Sequence, residues 1–477
     1  MKRIHLIGAL LLILPFLLLS QEKESLDYSD AFELMDAWLE AQVAYDKLPG
    51  LSVSIIQDQD VIYSRAWGMA NSEKGIHTRT NTIYSICSIS KLFTSVAIMK
   101  LWDEGKLRLD DRIDEILPWY DLEQQFKDSG PITVRSLLTH SSGLPRESDF
   151  PYWTGPDFPF PTKDKVREKL GSQKTLYPAA TYFQYSNLGL TLLGEVVEEI
   201  SGQKYEDYIE EKILKPLRLL DTRPELPEPL YGSQLAIGYS AIQRNGSREP
   251  VEFFQAEGIK AAAGFSSTVE DLARFASWQF RLLDNGGQEI LKASTLRDMQ
   301  RVHYTDPNWN TTWGLGFSVY QYEGKTIVGH GGSCPGYRSV LLLNTKEKMA
   351  VSVMINAGGT NPGHYGQELM NILAKFNAEE STDLPDSASL EDYAGIYNQQ
   401  PWWSESLISP WKGKLVFLGL PAENPTQSMT FYKYIAPDIF KRIREDDATG
   451  EEIAFEREAS GKVLRYVHHS NYYYRIK

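Results

Sequence analysis

Two blocks of strand-like sequence enclose a long stretch that reads as helices, and this order limits the fold more than any other feature of the chain. Residues 51–57 and 61–67 alternate and are rich in β-branched side chains, the mark of a hairpin. Strand character returns far downstream, at 326–329, 339–344 and 350–356. Helical spacing covers 30–47, where Pro49-Gly50 stops it, and then 90–104, 188–201, 268–283 and 363–376. Strands at both ends with helices between them suit an α+β fold, an antiparallel sheet packed on helices.

At 477 residues the chain exceeds the size at which a single core stops growing, so two domains are expected. A polar, acidic stretch at 377–389 is the best linker. Beyond it come short strand-like runs at 415–418, 429–434, 439–443, 453–457, 463–468 and 472–476, spaced by turns such as Ser460-Gly461-Lys462. They predict a small all-β barrel or sandwich. The expected division is a signal segment at 1–20, a main domain at 21–380 and a β domain at 381–477. Met1-Lys2-Arg3 followed by an apolar run at 6–19 reads as a secretory signal, with a retained anchor as the alternative. The mature protein is therefore expected in the periplasm or outside the cell, with no stable membrane span after cleavage. A net charge of −14 argues against a nucleic-acid partner, because phosphate binding needs a basic face. Oligomeric state cannot be read from the sequence.

Ser88-Ile89-Ser90-Lys91 places a hydroxyl and an amine on one face of a helix, one turn apart. Serine needs a base within hydrogen-bond reach to act as a nucleophile, and a lysine serves when burial lowers its pKa. The spacing alone selects nothing, since Ser20-Lys23, Ser201-Lys204 and Ser409-Lys412 share it. Context separates them. Ser88 follows the β-rich run 82–86 and opens an apolar helix, and partners suited to the chemistry come downstream of it. Tyr185-Ser186-Asn187 offers a phenol to relay protons and an amide to orient the lysine and hold substrate. His330-Gly331-Gly332 puts a donor beside two small residues, which would let a substrate backbone lie along a strand edge. His364-Tyr365-Gly366 has the same spacing but opens a helix, and reads as structural.

These elements, in this order, resemble the serine β-lactamase and D-alanyl-D-alanine peptidase superfamily, the penicillin-binding proteins. The likeness is closest to the class C group, where Tyr-x-Asn stands as the second motif. Leu137-Leu138-Thr139-His140-Ser141-Ser142-Gly143-Leu144 and Trp313-Gly314-Leu315-Gly316 support it. The resemblance covers about residues 30–376 and implies an α/β/α sandwich with an antiparallel sheet. It makes Ser88 the acylated nucleophile, with Lys91 and Tyr185 sharing proton transfer. Asn187 would bind substrate and Lys91, and His330 and Gly332 would lie along the substrate. The backbone N–H groups of Ser88 and Ser333 would form the oxyanion hole. No metal or cofactor is implied.

Many β-lactamases carry Lys-Thr-Gly or Lys-Ser-Gly where this chain has His330-Gly331-Gly332. A mostly neutral histidine meets a substrate carboxylate less well than a lysine does. Hydrolysis of a small amide or ester is therefore the leading expectation, on a peptide, D-amino-acid or acyl-ester substrate. A D-Ala-D-Ala carboxypeptidase or β-lactamase, and a catalytically silent binding homologue, remain open. The aromatic, proline-rich stretch 150–161 either walls the pocket or packs on its own rings. Cys87 and Cys334 are the only cysteines. They are either buried free thiols or a disulfide, and the placement resembles the cysteine pair of carbapenem-hydrolysing class A β-lactamases.

Overall fold

The computed structural model describes residues 27–385 and 389–477. The expected signal segment at 1–20 and residues 386–388 of the expected linker lie outside these residues. Among the described residues no helix is long and apolar enough to cross a membrane.

The chain opens with helix α1 (Ser29–Tyr45) and the hairpin β1 (Gly50–Gln57) and β2 (Asp60–Asn71). Three longer helices come next, separated by extended stretches of short helices and loops: α2 (Ser90–Asp103), α3 (Asn187–Ser201) and α4 (Val269–Asn285). The chain then returns to the sheet as β3 (Ser318–Tyr322), β4 (Lys325–Cys334), β5 (Tyr337–Asn344) and β6 (Met349–Ile355), and closes this part with α5 (Pro362–Ala378). All pairings in the resulting nine-stranded sheet are antiparallel, and β1 lies beside β6, which in turn pairs with the central strand β5. Both strands are buried almost throughout, which is why they read as apolar runs.

Helices cover both faces of the sheet. One face packs on α4 and the helical region, and the other on α1 and α5. This is the expected α/β/α arrangement. β4 runs on through His330-Gly331-Gly332-Ser333-Cys334, beyond the 326–329 run, an extension hidden in the sequence because Gly331 and Gly332 lack the side chains that mark a strand.

The C-terminal part is an eight-stranded, nearly closed barrel: β7 (Gly395–Asn398), β8 (Glu405–Trp411), β9 (Lys414–Leu420), β10 (Thr430–Ala436), β11 (Ile439–Ile443), β12 (Thr449–Arg457), β13 (Val463–His468) and β14 (Asn471–Tyr474). The ring closes where Ile396 N–H donates to Lys477 O at 3.0 Å and Ile476 N–H to Ile396 O at 2.8 Å. Two of these strands carry no signal in the sequence. β7 is only four residues long. β8 contains Pro410 and is buried on both faces, so its alternation is lost.

That double burial comes from how the barrel sits. Trp411, Val416 and Leu418 point out of the barrel into the apolar layer formed by α1 and α5. Trp38 of α1 donates its indole N–H to Ala422 O at 2.8 Å, and Trp411 meets Phe376 of α5 edge to face at 5.0 Å. The barrel thus packs on the layer opposite the helical region that holds the Ser-x-x-Lys motif.

Candidate active site

Ser88 lies in a tight turn, Cys87–Ile89, that feeds directly into α2. Cys87 has φ of +51°, a left-handed conformation that side chains other than glycine avoid. Several bonds hold the turn. Ser90 Oγ donates to Cys87 O and accepts from Phe265 N–H at 3.0 Å. Ile86 N–H donates to Phe265 O at 2.9 Å. Cys87 is also disulfide-bonded to Cys334 at the end of β4, with Cα atoms 5.7 Å apart. The bond ties the turn to the strand that carries His330 and Ser333.

Lys91, one turn into α2, is fully buried. Its Nζ donates to Ser88 Oγ at 3.1 Å and to Ala262 O at 2.7 Å. Burial drives its pKa well below that of an ordinary lysine; the Glu147 charge opposes this shift and the Arg146 charge adds to it. Tyr185 stands over the same amine, with Nζ 4.9 Å from its ring centre. Burial raises the phenol pKa, against a smaller opposing effect of the Ser88 hydroxyl. At neutral pH the lysine is therefore the better proton acceptor and the tyrosine is a protonated donor.

Ser186 caps α3 by accepting from Gly189 N–H at 2.9 Å, and this sets Asn187 at the helix start. The Asn187 amide makes no hydrogen bond to Lys91, a contact that the resemblance implied. Its Nδ2 donates to both carboxylate oxygens of Glu147, at 2.8 and 3.0 Å. Glu147 also accepts from Tyr152 OH and pairs with Arg146 at 3.2 Å. Glu147 has no mark in the sequence, since it falls just past the 137–144 stretch and a lone Arg-Glu pair in a loop carries no pattern.

His330 is buried on β4. Its Nδ1 lies 2.6 Å from Gly331 O, so this nitrogen carries the proton and Nε2 faces Tyr185 OH, 3.5 Å away, as an acceptor. Burial, and next the Lys91 charge, push its pKa down to about 3. His140 belongs to the supporting stretch 137–144, but nothing in that stretch announces its role. Its ring lies 4.2 Å from that of Tyr185, and its Nδ1 accepts from Ser186 N–H at 3.1 Å. Together with Trp313 it fixes the phenol.

The two glycines divide differently from the expectation. Gly332 is buried, and a Cβ there would come within 2.2 Å of Ile86 O, so it serves the close approach of β4 to the Ser88 turn. Gly331 has open space instead, with nothing nearer than 3.8 Å to such an atom. Ser333 is exposed and shares a cavity of about 440 Å3 with Ser88 and Asn187. Arg146, Glu147, Trp153 and Arg338 complete its polar and aromatic walls. Of the aromatic stretch, Trp153 lines this cavity while Tyr152 stacks on Phe160 at 5.1 Å, so both readings of that stretch hold in part. His364 lies away from the cavity, on α5, with Nε2 2.5 Å from Glu423 O.

Residues 35–373 match the family model described as Beta-lactamase. A putative D-alanyl-D-alanine carboxypeptidase of Escherichia coli (strain K12) is 27% identical over 313 residues, spanning 60% of this chain and 71% of its own. Among solved structures, the octameric penicillin-binding protein homologue from Pyrococcus abyssi superposes with a TM-score of 0.62 at 25% identity, over 92% of this chain and 99% of its own. A D-stereospecific amidohydrolase from Streptomyces sp. gives 0.58 at 25% identity, over 71% and 97%.

Proposed function

The chain belongs to the Beta-lactamase family of serine hydrolases, and we propose that it cleaves a small amide or ester through an acyl-enzyme on Ser88. The observation that carries this reading is the 3.1 Å contact from Lys91 Nζ to Ser88 Oγ, made by an amine whose burial favours the neutral form. Ser88 Oγ attacks the substrate carbonyl and its proton passes to Lys91. The oxyanion is received by the backbone N–H groups of Ser88 and Ser333, each such donor being worth about 3–4 kcal/mol. Tyr185 gives its proton to the departing nitrogen or oxygen and regains one from Lys91. Water then attacks the ester on Ser88 and restores the enzyme. His330, neutral, accepts from the phenol and keeps its oxygen over Ser88.

The Streptomyces amidohydrolase supports an amide of D configuration as the first substrate to try. A second reading, a carboxypeptidase of D-Ala-D-Ala peptides, has one observation in its favour. Arg146 and Arg338 both line the cavity, and a guanidinium can supply the carboxylate contact that a neutral His330 cannot. The test is a panel of p-nitrophenyl esters, D-amino-acid amides, D-Ala-D-Ala peptides and nitrocefin, with mass spectrometry of the trapped protein. An acyl adduct on Ser88 is expected. Turnover without one, or no turnover of any member, would overturn the reading.

A further inference from the structure

The barrel carries a cavity of about 830 Å3 at one mouth, larger than the Ser88 cleft and lined by different residues. We propose that this mouth binds a neutral oligosaccharide.

Its rim is the first argument. Trp402 and Trp403, in the turn between β7 and β8, are 77% and 75% exposed, and Trp403 lines the cavity. Adjacent indoles left in water have no packing role, yet their backbone is held, both N–H groups donating to Gln399 O at 3.1 Å. A flat indole face matches the apolar face of a pyranose ring. The wall is the second. Phe417, Tyr432 and Tyr466 give it aromatic area, and Gln399 spans it by donating to Ser406 Oγ at 2.9 Å and to Tyr466 OH. Asn424 and Gln427 add side-chain amides, a lining suited to hydroxyl groups and poor for an alkyl chain.

Charge narrows the class further. The lining includes Glu405 and Glu423 and no lysine or arginine, so a polyanion is repelled while sugar hydroxyls find carboxylate acceptors. Position links the site to the chemistry. The barrel mouth shares Pro421 and Glu423 with a neighbouring depression of about 650 Å3, and that depression shares Gly359 with the Ser88 cleft. The barrel mouth and the Ser88 cleft are thus linked by depressions that share lining residues. On the serine-hydrolase reading, on which this step rests, the substrate is an amide or ester that bears a saccharide.

The test titrates chitotetraose, cellotetraose and maltotetraose into full-length Ser88→Ala protein by calorimetry, with sodium laurate as the competing chemistry. At least one sugar should bind saturably. A Trp402→Ala/Trp403→Ala variant should weaken it by at least about tenfold, the loss expected of a stacked aromatic anchor. In the Ser88-intact background the same tryptophan change should leave p-nitrophenyl acetate turnover as it was. Binding of no sugar, equal binding by the tryptophan variant, or binding of laurate alone would overturn the proposal. Retained sugar binding with no ester turnover counts against the Ser88 chemistry and leaves the barrel site standing.

Discussion

The Asn187 side chain gives its amide nitrogen to Glu147, bonding both carboxylate oxygens at 2.8 and 3.0 Å, and so holds a negative charge at the edge of the Ser88 cavity. That charge raises the Lys91 pKa against the larger effect of burial. Lys91 must be neutral to take the Ser88 proton, so activity should rise with pH through its pKa. Glu147→Gln removes the charge and keeps the shape. The acidic limb of the kcat/KM profile should then move to lower pH, by a few tenths to about one unit. A limb that stays in place or moves upward would exclude this coupling.

Ser88→Ala should abolish turnover and labelling by a fluorophosphonate probe. Lys91→Ala should fold and lose about three orders of magnitude in acylation rate, the scale of a general base. Acylation of Lys91→Ala at the normal rate, measured by stopped-flow with a p-nitrophenyl ester, would point to another base.

His330 lowers acid stability in a definite direction. Its folded pKa is near 3, whereas an unfolded histidine sits near the ordinary value of 6.5. Below pH 6.5 the unfolded chain binds a proton that the folded one refuses. Stability should therefore fall by about 1.4 kcal/mol per pH unit toward pH 3 and level off below it. His330→Gln should remove that contribution in urea titrations at pH 7, 6 and 5, leaving only the separate slope of buried His140, which is also shifted down.

Replacing both Cys87 and Cys334 by alanine removes a link between residues 247 apart in sequence. The loop-entropy estimate puts the loss at about 5.5 kcal/mol. The left-handed Cys87 would also lose one of its restraints, so kcat should fall more than KM rises. An unchanged kcat would mean that the neighbouring hydrogen bonds hold the turn by themselves.

All the Ser88-site residues precede the barrel, yet a chain ended at residue 380 should not behave as an independent enzyme. It would expose Trp38, Phe376 and their neighbours on α1 and α5, at about 1.5–3 kcal/mol for each large side chain. Aggregation, or a melting midpoint at least about 10 °C lower, is expected by scanning calorimetry. A soluble fragment with the full-length midpoint would show the shared layer to be dispensable.

Much of this architecture was legible in the sequence. The helices at 90–104 and 188–201 and the hairpin at 51–67 declared themselves through apolar spacing, and Ser88, Lys91, Tyr185 and His330 through ordered motifs. What escaped was set by contacts between distant segments. β8 lost its alternation because two different cores bury its two faces. The division of labour between Gly331 and Gly332 depends on where Ile86 passes, and the roles of Glu147 and His140 exist only once their loop folds against α3.

The pairing of β1 with β6 has a bearing on biogenesis. Val53 of β1 finds its partner Val353 about 300 residues later. A ribosome emitting roughly 5–20 residues per second takes ~15–60 s to cover that span. Ser88, Lys91 and Tyr185 leave the tunnel long before the strand that completes their platform. Such non-local closure is slow, and until then the nascent chain carries these residues beside an incomplete sheet. Hydrolytic competence should arrive late and all at once, when β6 docks.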